Sequence, residues 1–391
     1  MLKYAKENDR MKKRKLLALF LAAMMLVALL TACVGEAPQT GLGTPAAQPG
    51  SQPAQPAPPP SPPAEDPADD PMDEPEPEPE PPTERLIIDQ LGREVVVPYV
   101  VTSIATAHNP SQSMAAAIGG VDVVATGRGG NSIFDLIAPH IADLPTVTGG
   151  GGAGAFNLEV LGELLPDVFI FPSGRYDTTV PYMDMFDIPA VAIHPQCVDS
   201  ILETVEILGA VFNRQEHAAA VAEAFQGHIN VVAERLVGAE HTPTAVVLGN
   251  SVSSVHSNGQ LQAEIIVMAG AENVAADVEG RSHVDVGLEQ MLAWDPEYIF
   301  ITAWGGAISV DEVLAEERFA HLQAIQNGNV FRFPSPNDWW DTASICSGLA
   351  VMWAAHIMHP DLISDEELET AVLEFYYLLY GMEISREFLG F

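Results

Sequence analysis

The chain has 391 residues, with 53 acidic side chains against 17 basic ones and a net charge of −36. So acidic a surface repels phosphate backbones, which excludes nucleic-acid binding. All five lysines (Lys3, Lys6, Lys12, Lys13, Lys15) precede the apolar run at Leu16, so the body of the chain has no lysine for a Schiff base, a Walker site or a Ser-Lys dyad.

In chain order the first element is a targeting segment. Met11-Lys-Lys-Arg-Lys15 is basic, Leu16 to Leu30 is apolar, and Leu30-Thr-Ala-Cys33 leads small residues into a cysteine. That order predicts a secretory signal of the lipoprotein type over residues 1–32, cleaved before Cys33 and followed by lipidation of its sulfur. The apolar run is shorter than the ~20 residues a spanning helix needs, which argues against an uncleaved anchor. Met11 also serves as a start for the same signal. Removing the lysines with Arg10, Arg14, Glu7 and Asp9 leaves 10 Arg against 51 acids, a net charge of −41. Solubility alone accounts for that acidity. Residues 33–84 are rich in Pro, Ala and Gln, then alternate Pro and Glu from Pro75 to Pro82. They predict an extended, self-repelling tether. Lipid, spacer and folded body together predict a protein held at the cell membrane on its outer side.

The folded part opens with Ile87 to Val97 (I-I-D-Q-L-G-R-E-V-V-V), closed by Pro98, which reads as a hairpin turning near Gly92. Strand-like runs follow at Val100–Ala105, Val121–Ala125, Val168–Phe171, Ala190–Ile193, Ala245–Leu248, Tyr298–Thr302 and Val330–Phe333. Helical patterns lie between them, so the class is α/β with mostly parallel sheets flanked by helices. Residues 157–171 (N-L-E-V-L-G-E-L-L-P-D-V-F-I-F) are matched without a gap by 287–301 (G-L-E-Q-M-L-A-W-D-P-E-Y-I-F-I). A repeated helix–Pro–acid–strand unit predicts two related lobes, here 85–212 and 239–391, with a ligand cleft between them. One long helix over 213–238 joins them, with Asn213 as N-cap, Glu216 completing a capping box and Gly238 as C-terminal cap. At ~1.5 Å per residue it spans about 36 Å, a stiff hinge. Cys197 and Cys346 fall in opposite halves, where a bridge would tie lobe to lobe, so two buried free thiols are expected; the chain is expected to be a monomer.

The chain resembles the substrate-binding lipoproteins of ABC importers for ferric siderophores, haem and cobalamin. Carrying the resemblance are I-I-D-Q-L-G-R-E-V-V-V-P, the doubled L-E…P-[DE] units, G-N-V-F-R-F-P with its aromatic-rich loop, and the terminal F-Y-Y-L-L-Y-G (375–381). It covers roughly 86–381. It implies two lobes joined by one backbone helix, no cofactor, no catalysis, and a small-molecule metal complex as ligand. It further implies that Glu159 and Glu289, at equivalent positions of the repeat, meet arginines on the two subunits of an ABC permease dimer working with its ATPase. A helix-dipole role is the plainer reading of both acids.

Ligand-binding candidates come from loops after the strands, where open α/β sheets bind ligands. They are His108, Asn109, Arg128, Arg175, Tyr176 and His194 in the first half, and Asn250, Trp304, Trp339 and Trp340 in the second. Arginine forks suit carboxylate or catecholate oxygens, and aromatic faces cover a large flat ligand. Arg281 and Arg332 lie in further candidate loops. Adjacent tryptophans in an extended segment point opposite ways, so one of Trp339 and Trp340 is expected to face the cleft. The segment D-W-W-D-T-A-S also resembles that of cobalamin binders, which keeps a corrinoid beside the ferric complex. Gly149, Gly151 and Gly154 satisfy G-x-G-x-x-G but no acid closes the next strand, so a glycine turn is the reading. His356 and His359 stand at a helix end before Pro360, where histidines complement the dipole. An extracellular metal-dependent hydrolase using His108, His194 and His283 is the rival from another class; it requires three convergent ligands. A sensor for the same ligand is the third option.

Overall fold

The computed structural model describes residues 82–106, 108–120, 124–125, 133–140, 146–147, 156–280, 283–304 and 306–391. The signal, Cys33, the tether up to residue 81, Arg128, Arg281 and the glycines at 149–154 lie outside them. Antiparallel strands β1 (Glu84–Ile88) and β2 (Glu94–Pro98) pair Leu86 with Val96. Ile87, Val95 and Val97 point inward, while Leu86, Ile88 and Val96 are exposed, the period-two alternation of a strand. Gly92 makes the turn at φ 74°, where a side chain would be strained.

The first lobe follows as β3 (Ser103–Thr106), α1 (Asn109–Gly119), β4 (Val124–Ala125), α2 (Ile133–Ile137), α3 (Leu158–Leu164), β5 (Val168–Pro172), α4 (Tyr176–Asp184), β6 (Ala190–Ile193) and α5 (Val198–Phe212). Its four strands are parallel, in the order β4-β3-β5-β6. Helix α6 (Gln215–Leu236) crosses to the second lobe. There come β7 (Thr244–Leu248), β8 (Ser254–Val255), α7 (Leu261–Met268), β9 (Glu272–Asn273), β10 (Val284–Asp285), α8 (Leu288–Trp294), β11 (Tyr298–Ile301), α9 (Val310–Leu314), α10 (Gln323–Asn327), β12 (Val330–Arg332), α11 (Ser347–Met358), α12 (Asp365–Tyr380) and α13 (Arg386–Leu389). The sheet order is β10-β8-β7-β11-β12, with β9 beside β7. Strands β7, β9, β11 and β12 run parallel; the two-residue strands β8 and β10 are antiparallel additions too short to show a period in the sequence.

The parallel strands are buried on both faces, which is why they read as unbroken apolar runs. In β5, Val168 and Ile170 enter one core cluster and Phe169 and Phe171 another; in β7 and β11, Val247 and Phe300 face one cluster while Val246 and Ile299 face a third. The largest cluster runs from Ile87 in the hairpin, through Val221, Phe225 and Ile229 of α6, to Leu389 near the C-terminus. Both lobes share it.

The start of the connecting helix differs from expectation. Asn213 does not cap α6; it ends α5 in the left-handed conformation (φ 56°, ψ 40°), and Arg214 N–H donates to the Gly209 carbonyl at 2.8 Å. Asparagine's short polar side chain tolerates that conformation, so it closes a helix as readily as it opens one. Gly209 makes the turn compact, since a Cβ there would lie 2.5 Å from Ala218 Cβ. The resulting α6 has 22 residues. Cys197 and Cys346 are both free thiols.

Candidate functional site

The loops at the carboxyl ends of the first lobe's strands are braced by the hairpin tip. Asp89 is buried and its carboxylate accepts five hydrogen bonds: from the N–H groups of Leu91, Arg93 and Ala192, and two from the Arg93 guanidinium at 2.6 and 3.0 Å. Arg93 is thereby aimed at the Tyr176 ring, 5.0 Å from its centroid, and the Phe171 ring, 5.6 Å from its centroid. The neighbouring Gln90 donates to the Ser200 carbonyl, and its side-chain carbonyl accepts from Thr204 Oγ1 at 2.7 Å and from the backbone N–H of His194. Two predicted ligand residues, Tyr176 and His194, are thus set in place by a motif that reads in sequence only as a hairpin. Nothing in its local pattern announces these partners.

His194 is exposed, with Nδ1 2.8 Å from Ser173 Oγ. His108 immediately precedes α1, with Nδ1 2.9 Å from Ser111 Oγ; burial, and then the nearby Arg175 charge, push its pKa down to about 4. It is neutral at pH 7. Asn109 is the first residue of α1. Arg175, half-buried in the turn after β5, differs from the other described arginines. Arg85, Arg214 and Arg332 donate to backbone carbonyls, and Arg93, Arg235, Arg318 and Arg386 pair with carboxylates. Among the described residues the Arg175 guanidinium has no hydrogen-bonding or ionic partner.

In the second lobe, Asn250 is exposed just beyond β7, and Trp304, 37 % exposed, lies beyond β11. The tryptophan pair divides as the extended-chain geometry requires, with Trp339 half-buried and Trp340 fully buried. Trp340 is therefore corrected from ligand contact to core: its Nε1–H donates to Tyr376 Oη at 2.9 Å, and the Tyr376 hydroxyl donates to buried Asp338 at 2.8 Å. Cys346 Sγ lies 3.3 Å from the same carboxylate. Burial first, and the Asp338 charge second, push the Cys346 thiol and the Tyr376 phenol well above their ordinary ranges. Arg332 is likewise withdrawn from the ligand candidates, because its guanidinium donates to the carbonyls of Ala303 (2.8 Å) and Trp304 (3.0 Å). Opposite it, buried Asp341 accepts the Ala303 N–H at 3.1 Å; burial raises its pKa to about 7 against the pull of that bond and of Arg332.

His283 sits in the second lobe with its ring centroid 5.9 Å from that of buried His256. Among the described residues no group of three or more His, Cys, Asp or Glu is placed to hold a metal ion, so the hydrolase rival's three histidines do not converge. His356 Nδ1 is 2.9 Å from the Ile363 carbonyl, and His359 caps the C-terminus of α11.

The repeat superposes as a device. Glu159 and Glu289 are exposed in the first turns of α3 and α8, and each helix ends on a left-handed residue, Leu165 or Asp295. The Pro-acid that follows clasps the first parallel strand of its lobe. Asp167 accepts from Thr102 N–H (2.7 Å), Thr102 Oγ1 and Ser103 N–H, and Glu297 accepts from Thr244 N–H (3.1 Å) and Thr244 Oγ1. Among the described residues no helix is long and apolar enough to cross a membrane.

The two-sheet arrangement with one connecting helix recurs in solved structures. A periplasmic solute-binding protein from Veillonella parvula DSM 2008 superposes with a TM-score of 0.69 at 22 % identity, over 78 % of this chain and 95 % of that one. In sequence, the chain is 22 % identical to the molybdate-binding protein of Haemophilus influenzae over 76 % of its own length and 91 % of the relative's. The Fe(3+)-citrate-binding protein of Bacillus subtilis matches at 22 % identity over 53 % of this chain and 65 % of the relative. The vitamin B12-binding protein of Yersinia pestis matches at 26 % over 41 % and 56 %. With a family model matching residues 104–336, which hold β3 to β12 and the helix between the sheets, the chain belongs to the periplasmic binding protein family, whose members deliver small solutes to ABC importers.

Proposed function

We propose that this solute-binding protein captures an anionic metal complex, a ferric siderophore or haem, outside the cell and passes it to an ABC permease. Arg175 is the observation that carries the reading: a guanidinium without a hydrogen-bonding or ionic partner among the described residues, half-buried at the carboxyl end of a parallel strand, in a chain where acids outnumber bases threefold. An arginine fork left open in such a field fits a bidentate oxygen pair from a ligand. Neutral His108 beside it leaves the local charge to Arg175, and Tyr176 and His194 stand on the same loops, braced by the hairpin. The relatives that bind molybdate and Fe(3+)-citrate supply precedent for anionic metal-containing solutes. Cys33 is assigned the lipid anchor, and Glu159 with Glu289 the contact to the two permease subunits. The chain is read as a monomer that makes and breaks no bond.

The test is native mass spectrometry of the full-length chain with a ferric tris-catecholate, ferric citrate, haem, cobalamin and molybdate. A 1:1 complex with an anionic metal compound is expected, weakened about tenfold or more in Arg175→Ala. Binding of cobalamin alone, unaffected by that substitution, would replace the anionic complex with a corrinoid.

A further inference from the structure

Trp304 is held from three sides although it lies in a loop. Its own carbonyl and that of Ala303 accept from Arg332 at the end of β12, and the Ala303 N–H donates to Asp341. The Asp341 backbone is in turn pinned to α7 through Gln262 Nε2 at 2.9 Å. The Trp304 carbonyl also accepts from Ala307 N–H at 3.0 Å, closing the turn beneath the ring. The indole lies across Gly306: a Cβ built there would sit 2.0 Å from Cζ3 and 2.3 Å from Cη2, a space only glycine leaves open. One edge of the ring is thus seated on backbone while 37 % of the residue remains exposed. An aromatic fixed at this cost in loop ordering, at the carboxyl end of a parallel strand, is pre-organised for contact rather than for core packing.

We infer that Trp304 is a preset stacking platform for a planar conjugated ring of the ligand, with Asp341 and Arg332 as its positioning residues. This rests on the binding-protein reading above and narrows its cargo. Molybdate and ferric citrate have no π face, whereas catecholate rings and a porphyrin with its propionates combine a conjugated plane with anionic oxygens. The shared chemistry is therefore a flat ring bearing anionic oxygen, with Arg175 taking the oxygen and Trp304 the ring.

The platform is tested first without ligand. Subtracting the emission of Trp304→Phe from that of the native full-length chain isolates the Trp304 signal. Asp341→Asn keeps an oxygen acceptor for the Ala303 N–H and should leave that signal unchanged. Asp341→Leu and Gly306→Ala should shift it to the red and increase its quenching by acrylamide. If Asp341→Leu does not fold, Gly306→Ala and Arg332→Met carry the same comparison. Native-like quenching in all of the folded variants overturns the positioning role. With ligand, Trp304→Ala should weaken haem or the ferric tris-catecholate about tenfold and leave ferric citrate and molybdate unaffected. Loss confined to haem assigns a porphyrin, and loss confined to the catecholate assigns a siderophore. Equal loss for ferric citrate, or no binding of either ring-bearing probe, overturns the platform. Arg175-dependent binding of citrate or molybdate would then leave the anion reading standing. Ring binding that needs Trp304 but ignores Arg175 would do the reverse.

Discussion

At the scale of single residues, Asp341 is a carboxyl whose titration burial carries close to neutrality. Its carboxyl is buried, so the fold favours the protonated form and holds the pKa at about 7, above the ordinary 3.8. The folded chain then binds more protons than the unfolded one between those two values. The contribution of Asp341 to stability is therefore full at and below the ordinary value, declines as pH rises toward 7, and is flat beyond it. Asp341→Asn removes the titration while keeping an acceptor for the Ala303 N–H. Urea unfolding at pH 5 and pH 8 should show the native chain losing stability relative to the variant across that interval, since the buried histidines His108, His228 and His256 act equally in both. An equal change in both would place the titrating group elsewhere. His108 carries the opposite lesson: its pKa lies near 4, below the ordinary 6.5, so the unfolded chain binds the proton first and His108's contribution to stability, full above about 6.5, is lost as pH falls toward 4.

Among elements, the repeated helix–Pro–acid–strand unit separates into two jobs. The acid after the proline is structural. Asp167 and Glu297 each sit partly buried, which alone would raise their pKa values, but hydrogen bonds from Thr102 and Ser103, and from His241 and Thr244, outweigh burial and lower both. Depressed carboxylates stabilise above their ordinary values and lose that contribution as pH falls through the folded pKa, so both clasps should loosen in acid. Asp167→Ala and Glu297→Ala are each expected to cost about 1–2 kcal/mol, for the strand-start N–H groups they leave unpaired. Lying in different lobes, they should add to within about 0.5 kcal/mol in urea melts of the double variant. A strongly non-additive pair would mean the clasps communicate. The glutamates at the helix starts are exposed and make no such clasp. Changing Glu159 and Glu289 together to arginine should abolish uptake in cells and leave ligand affinity untouched; a drop in affinity would remove them from the docking role.

For the molecule as a whole, the decisive feature is the apolar cluster that passes from the hairpin through α6 into the second lobe. Two lobes sharing one core cannot part without opening it, so only a small relative movement is available around a ligand. The same continuity predicts one cooperative unfolding transition. Tryptophan emission reports chiefly the second lobe, which holds all five tryptophans, and far-UV circular dichroism reports both; their urea midpoints should coincide. Separate midpoints would show the lobes to be independent units.

The sequence by itself determined the α/β class, the parallel strands and the family, and it removed lysine chemistry and nucleic acid from consideration. These follow from patterns complete within a few residues: an apolar run buried on both faces, a doubled motif. Tertiary structure alone decided what each side chain of the site is for. Trp339 and Trp340 are interchangeable in the sequence until Tyr376, on α12, supplies the acceptor that draws Trp340 inward. Arg175 and Arg332 look alike until the carbonyls after β11 occupy one of them. Asn213 suits either end of a helix, and the packing of Gly209 against Ala218 selects the end of α5. Gln90 reaches partners more than a hundred residues away, at His194 and Ser200. A side chain's own chemistry is local, but whether it is spent on the protein or left open for a ligand depends on partners that only the folded chain brings near.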